Sequence, residues 1–147
     1  MLSHTRRLAA ATVATGIIAG LVGLACIHLL HWIQALAWNM HSGTLLQAVS
    51  AASPARRVGV LALAGVIGAL SWFFLFRRNQ TITSVGAAVE GTPMPPLRAV
   101  WHALTQIVIV GLGASVGREV APREMAAALA AAAADRLGLC AQDRRII

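Results

Sequence analysis

The sequence has no lysine and no tyrosine, and it contains little charge of any kind: 12 arginines and five acidic residues make up 12% of its 147 residues. A soluble domain of this size carries about 25% charged residues, so the composition disfavours a water-soluble globular domain. Disorder is also disfavoured, because 58% of the residues are apolar and the mean hydropathy is +0.73. Two cysteines, Cys26 and Cys140, indicate neither a disulfide framework nor a zinc cluster. What remains is a polytopic membrane protein.

The net charge of +7 comes from arginines that stand largely in pairs between apolar runs: Arg6-Arg7, Arg56-Arg57, Arg77-Arg78 and Arg144-Arg145. Pairs in these places are typical of the flanks of membrane spans and do not form a continuous phosphate-binding face. The pattern therefore indicates a lipid bilayer as partner and argues against nucleic acid. The basic start also predicts a cytoplasmic N-terminus, with the loop at 41–53 outside.

The apolar runs predict an all-α fold, a transmembrane helical bundle within one membrane segment, residues 1–147. A signal peptide is not indicated, because the first run continues well beyond the short core of such a peptide. Residues 39–54 are predicted to form an external or interfacial loop, and Trp32 and Trp38 to lie in the interfacial aromatic belt. A short helix is predicted at 83–89. The predicted spans are about 8–38, 58–76 and 99–116, followed by a further helix at 122–139.

The peptide GLGASVGREVAPRE, residues 111–124, carries the most chemical information. A glycine-rich turn ends one apolar helix, the charged pair Arg118-Glu119 follows, and Pro122 is predicted to start the next helix. Ionisable residues at membrane depth are costly and indicate function. A helix start presents unpaired N–H groups and a partial positive charge, so this break in the helix predicts an anion site.

Glu119 is the predicted gate of that site. Its carboxylate would compete with an anion for the N–H groups around residues 119–123, and protonation would remove the competing charge. The alternative is that Arg118 and Glu119 lie in a loop outside the membrane and pair with Glu124 and Arg123.

GASVGREVAPRE, followed by an alanine-rich helix, resembles the G-x-S-x-G-R-E-G-P signature of the CLC family of chloride channels and transporters. The flanking segments at 15–34, 59–78 and 85–115 are similar to the family's first helices, in the family's order. The resemblance implies a homodimer that transports chloride or a similar small anion, either as a channel or in exchange for protons. It places Glu119 on the gating glutamate and Gly117 and Arg118 on the invariant part of the motif. The implied backbone anion site comprises Gly117, Arg118, Glu119, Val120 and Ala121.

Three departures from the family pattern stand out. Val120 replaces the glycine after the glutamate, and the proline comes one residue late. The family's earlier serine motif is replaced by NQTIT, where we assign Thr81 or Thr83 as a hypothetical substitute at the central ion site. The family's second, inverted half would lie beyond Ile147, so the chain is expected to be the N-terminal third of a transport core. The alternative function is a non-transporting helical scaffold or an inert, truncated remnant.

Other residue types give weaker signals. His28 and His31 have a spacing that can ligate a metal, but no carboxylate lies in their span, so no metal site is predicted. His102, at the start of the third predicted span, is predicted to lie at the membrane interface, and a titrating group is the alternative. Ser115 and His102 are 13 residues apart, about 20 Å along one helix, so they cannot form a hydrolytic pair within it. We therefore expect no enzyme and no cofactor, but a multi-pass protein of the bacterial inner membrane.

Overall fold

The computed structural model describes residues 2–40, 42–77, 83–90, 92–117 and 119–136. Within these ranges the chain forms helices joined by turns and contains no strand, which confirms the predicted all-α class. The helices are α1 (Leu2–Trp38), α2 (Leu45–Ala51), α3 (Pro54–Phe76), α4 (Val85–Val89), α5 (Pro96–Gly111) and α6 (Val120–Arg136).

Two of the described helices are long and apolar enough to cross a membrane: residues Leu8–Trp38 of α1 and all of α3. At 1.5 Å per residue, the 23 residues of α3 extend for about 34 Å, slightly more than the hydrocarbon core of a bilayer. Large apolar side chains such as Ile17 and Leu21 on α1 and Phe73 on α3 are exposed, as suits a surface that faces lipid.

The third predicted span, 99–116, has different bounds in the structure. Helix α5 begins three residues earlier, at Pro96, and ends five residues earlier, at Gly111, where a glycine-rich turn closes it. Its 16 residues extend for about 24 Å, which is shorter than the bilayer core.

The segment predicted as a loop at 39–54 contains a short helix, α2. Thr44 accepts a hydrogen bond from the backbone N–H of Gln47, and the Gln47 side chain accepts one from the N–H of Thr44. This reciprocal capping box satisfies two N–H groups that a helix start otherwise leaves unpaired. The serines and glycine of the segment obscured this helix in the sequence. Ser53, the last of the serines, caps α3, which therefore begins at Pro54 and not at residue 58.

Helix α5 lies at the centre and packs against α1, α3 and α6, while α1 and α6 also pack against each other. Small residues permit close approach: the backbone of Gly111 on α5 lies against Ile33 of α1, and Gly68 of α3 faces Ile109 of α5. The buried core residues of α1, α5 and α6 include Cys26, Leu30, Ile33, Ala103, Ile107, Ala121 and Met125.

Arginines at the helix starts bind the carbonyl ends of preceding helices. Arg56 Nε donates to the carbonyl oxygen of Ala37 at 2.9 Å, Arg57 Nε to that of Ala52 at 2.9 Å, and Arg98 Nη2 to that of Leu75 at 2.6 Å. The last carbonyls of a helix lack intrahelical partners, and a cation is favoured there. Arg56 and Arg57, which form one of the pairs predicted to flank a membrane span, thus also cap helices.

Candidate functional site

The turn after α5 closes the helix with backbone hydrogen bonds. Gly113 N–H donates to the carbonyl of Val110 at 2.9 Å, and Ala114 N–H to that of Ile109 at 3.0 Å. Gly113 has φ +98°. This is the Schellman arrangement, in which a left-handed glycine lets the chain turn back on the helix end. The glycine-rich turn that the sequence predicted after this helix is therefore present, and α5 ends at Gly111.

Helix α6 begins at Val120, two residues before the predicted start at Pro122. Pro122 is the third helical residue. A proline is tolerated there, because the first N–H groups of a helix have no intrahelical partner and the missing proline N–H is not needed. The displaced proline of the signature-like peptide thus lies within the first turn of α6, and the helix starts immediately after Glu119.

The candidate anion-site residues line this short connection. Gly117 is exposed and has φ +79°, a left-handed conformation that favours glycine. The side chains of Glu119 and Val120 are exposed, and Ala121 is fully buried against the core. Arg118 lies outside the described residues.

Glu124, five residues after Glu119, is buried instead. Its Oε2 lies 2.9 Å from Nδ1 of His102, so a hydrogen bond joins α6 to α5, and this contact is an ion pair when the imidazole is protonated. The side chains are 14% exposed for His102 and 10% for Glu124. The interfacial position of His102 stays a prediction. In the alternative interpretation, Glu124 would pair with the Arg118-Glu119 segment; among the described residues it takes His102 as its partner instead, and Arg123 is exposed.

Gln106 completes a polar cluster between α5 and α6. It lies one turn after His102, and its Nε2 is 3.4 Å from His102 Nδ1 and 3.3 Å from His102 Nε2. Its Oε1 is buried and has no hydrogen-bond partner among the described residues. We refer to His102, Gln106 and Glu124 together as the polar cluster.

The other predicted positions lie elsewhere. Thr83 donates a hydrogen bond from Oγ1 to the carbonyl of Pro93 at 3.0 Å, which joins the segments before and after α4, and Thr81 lies outside the described residues. Ser115 is exposed in the turn. Trp38, predicted for the aromatic belt, is buried and donates from Nε1 to the carbonyl of Gly111, whereas Trp32 is exposed.

Histidines and acidic groups do not combine into a metal centre in the part of the chain that the structure describes: no three potential metal ligands are grouped there. His28 and His31 are both exposed on α1. Sequence reasoning missed the polar cluster, although one signal was available: His102 and Gln106 are four residues apart in an otherwise apolar helix, so they share a face.

The family model described as voltage gated chloride channel matches residues 62–147, more than half of the chain. The match begins within α3 and includes the α5–α6 connection and the polar cluster. Searches of curated proteins and of solved structures find no match.

Proposed function

The chain belongs to the voltage-gated chloride channel family, and we propose that it supplies part of a chloride pathway of the CLC type, in a channel or a chloride/proton exchanger. Members of this family transport chloride and are not enzymes. Family membership and the apolar helices α1 and α3 together indicate an integral membrane protein. The competing proposal from the sequence is a helical scaffold or remnant without transport.

The observation that carries the proposal is the start of α6 directly after an exposed glutamate. The first N–H groups of a helix have no intrahelical partner and bear a partial positive charge, so they favour an anion. We assign the backbone of Gly117, Arg118, Glu119, Val120 and Ala121 to the anion. Pro122 contributes no N–H, which limits the donors of the first turn to its flanking residues.

Glu119 is the proposed proton-linked gate. Its side chain is exposed next to the helix start, so water can protonate it, and as a carboxylate it competes with chloride for the same N–H groups. Protonation removes that competition and opens the site. The proposal also assigns a polar role at a central ion site to Thr81 or Thr83. In the structure, the Thr83 hydroxyl donates a hydrogen bond to the carbonyl of Pro93.

The proposed assembly is a homodimer in a lipid bilayer, the inner membrane of a bacterium, with one pathway per subunit. Further helices outside residues 1–147 would complete each pathway. Exposed apolar faces on α1 and α3 offer surfaces for such helices as well as for lipid.

A chloride-efflux assay in liposomes tests the function. A chimera that carries residues 1–147 of this chain, joined to the second half of a CLC transporter, is expected to release chloride, whereas the 147-residue chain alone is expected not to. A chimera that folds and dimerises but gives no flux would favour the scaffold. Selective flux from the chain alone would overturn the assignment of the chain as one part of the pathway.

A further inference from the structure

We propose that His102, Gln106 and Glu124 form a proton-binding site, separate from Glu119, that holds the start of α6 against α5. The geometry is the first support. His102 is the seventh residue of α5 and Glu124 the fifth of α6, and their 2.9 Å contact is a hydrogen bond between side chains of these two helices. Both side chains are nearly enclosed, so their charge state bears directly on the packing of the two helices.

The second support is the local charge. The hydrogen bonds and ion pairs that the described residues make to His102 and Glu124 stay within the polar cluster. Asp135 and Arg136 lie about three turns beyond Glu124, or about 16 Å along α6. The other titratable or charged side chains described on the elements around the cluster are Arg6, Cys26, His28 and His31 on α1, Arg56, Arg57 and Arg77 on or next to α3, Glu90 after α4, Arg98 on α5, and Glu119 and Arg123 at the start of α6.

Among the described residues, His102 is the hydrogen-bonded partner of Glu124 that can supply a compensating charge. With a neutral imidazole and an ionised carboxylate, the pair has a net charge of −1 in a nearly closed site, which is costly. One proton taken up from water brings the net charge to zero and makes the contact a charge-assisted hydrogen bond. No other bond forms or breaks in this step.

Gln106 is suited to both states of the imidazole. Its amide group lies against the ring nitrogens, and rotation by 180° exchanges its N–H donors for its carbonyl acceptor. Because Nδ1 faces Glu124, the partner of Gln106 is Nε2: the NH₂ group donates to Nε2 when it is unprotonated, and after rotation the oxygen accepts from Nε2 when it is protonated. The buried Oε1 without a partner is the acceptor that the second state uses. A nine-tenths buried glutamine thus has a specific role, which an apolar residue could not perform.

The sign of the effect follows from the charge. Proton uptake strengthens the α5–α6 contact, and proton loss at higher pH leaves a buried negative charge that weakens it. The packing of the first turns of α6 against α5 therefore depends on the ambient pH. These turns directly follow the candidate anion site. This inference does not depend on Glu119 as a gate or on chloride transport, so it is tested without either.

Hydrogen exchange of the 147-residue chain in lipid nanodiscs provides the test. After correction for intrinsic exchange, we expect protection of amides in the first half of α6 to fall about tenfold between about pH 5 and about pH 8. His102→Gln and Glu124→Gln should each remove this dependence. His28→Gln, at an exposed position on α1, should leave it unchanged. Equal pH dependence in all variants, or none in the wild type, would overturn the proposal.

A spectroscopic measurement on the wild type covers the case in which the variants do not fold. The ring ¹⁵N signals of His102 and the carboxyl ¹³C signal of Glu124 should change together as the pH is varied, while the His28 signals change independently. If the His102 signals follow those of His28 and the Glu124 signal does not respond with them, the two groups are not one proton site.

Discussion

The indole N–H of Trp38, the last residue of α1, donates a buried hydrogen bond to the carbonyl oxygen of Gly111, the last residue of α5, with an N···O distance of 3.1 Å. The two residues are 73 positions apart in the sequence. The carbonyls in the last turn of a helix lack intrahelical partners, so the indole satisfies an acceptor that the helix cannot satisfy itself. This contact fixes the point where α5 ends and the connection to α6 begins.

We expect Trp38→Phe to destabilise the chain by about 1–2 kcal/mol, because it leaves the buried Gly111 carbonyl without a donor. Unfolding by SDS in mixed micelles, followed by circular dichroism, measures this free energy. Trp32→Phe is the matched control, since Trp32 is exposed on the same helix and should change the stability little. Equal effects of the two substitutions would refute the role of the indole N–H.

The same helix end requires glycine at position 111. A Cβ built there would lie 2.7 Å from Ile33 Cγ2 and 3.0 Å from Ile33 Cβ. Gly111→Ala should therefore destabilise the chain by about 1–3 kcal/mol through overpacking. Gly65→Ala, on α3 with no atom within 4 Å of the new Cβ, should instead stabilise it by about 0.5–1 kcal/mol.

The double variant Gly111→Ala/Ile33→Ala tests whether the cost of Gly111→Ala comes from a clash with Ile33 or from other effects of the alanine. Ile33→Ala removes Cγ2 but keeps Cβ, so the cost of Gly111→Ala should be smaller in that background. An unchanged cost, measured by the same SDS unfolding, would show that the contact between α1 and α5 is not the cause.

Membrane orientation gives a further prediction. With Arg6 and its neighbour on the cytoplasmic side, the exposed turn at Ser42 lies outside. In a background without native cysteines, Ser42→Cys should react with an impermeant maleimide in intact cells, and Thr92→Cys, after the second span, should react only after permeabilisation. The reverse pattern would mean that the arginines that cap helix ends outweigh the basic N-terminus in setting the topology.

Local signals in the sequence predicted much of the fold. The features that the sequence did not predict depend on contacts between segments that are far apart in the chain. The arginine pairs and apolar run predicted α3, although Ser53 and Pro54 start it earlier than the hydropathy indicates. The glycines before residue 118 predicted the break between α5 and α6, because a left-handed turn needs them.

The polar cluster could not be predicted in this way. His102 and Glu124 are 22 residues apart, and their contact depends on how α5 and α6 are rotated against each other. Sequence periodicity was a poor guide to that rotation, because α6 consists largely of alanine and has no distinct apolar face. The contact between Trp38 and Gly111 was hidden for a similar reason: tryptophan near the end of an apolar run is equally typical of a membrane interface.

The central claim is that Glu119 gates an anion site at the start of α6, and chloride efflux from liposomes that contain the chimera tests it most directly. The wild type should release chloride faster at about pH 4.5 than at about pH 7.5, because acid protonates the competing carboxylate. Glu119→Gln should be fast and nearly independent of pH, while Glu90→Gln, at an exposed site after α4, should behave as the wild type does. Wild-type pH dependence in Glu119→Gln, with the dependence lost in Glu124→Gln instead, would contradict the claim and assign the gate to the second Arg–Glu pair, Arg123 and Glu124.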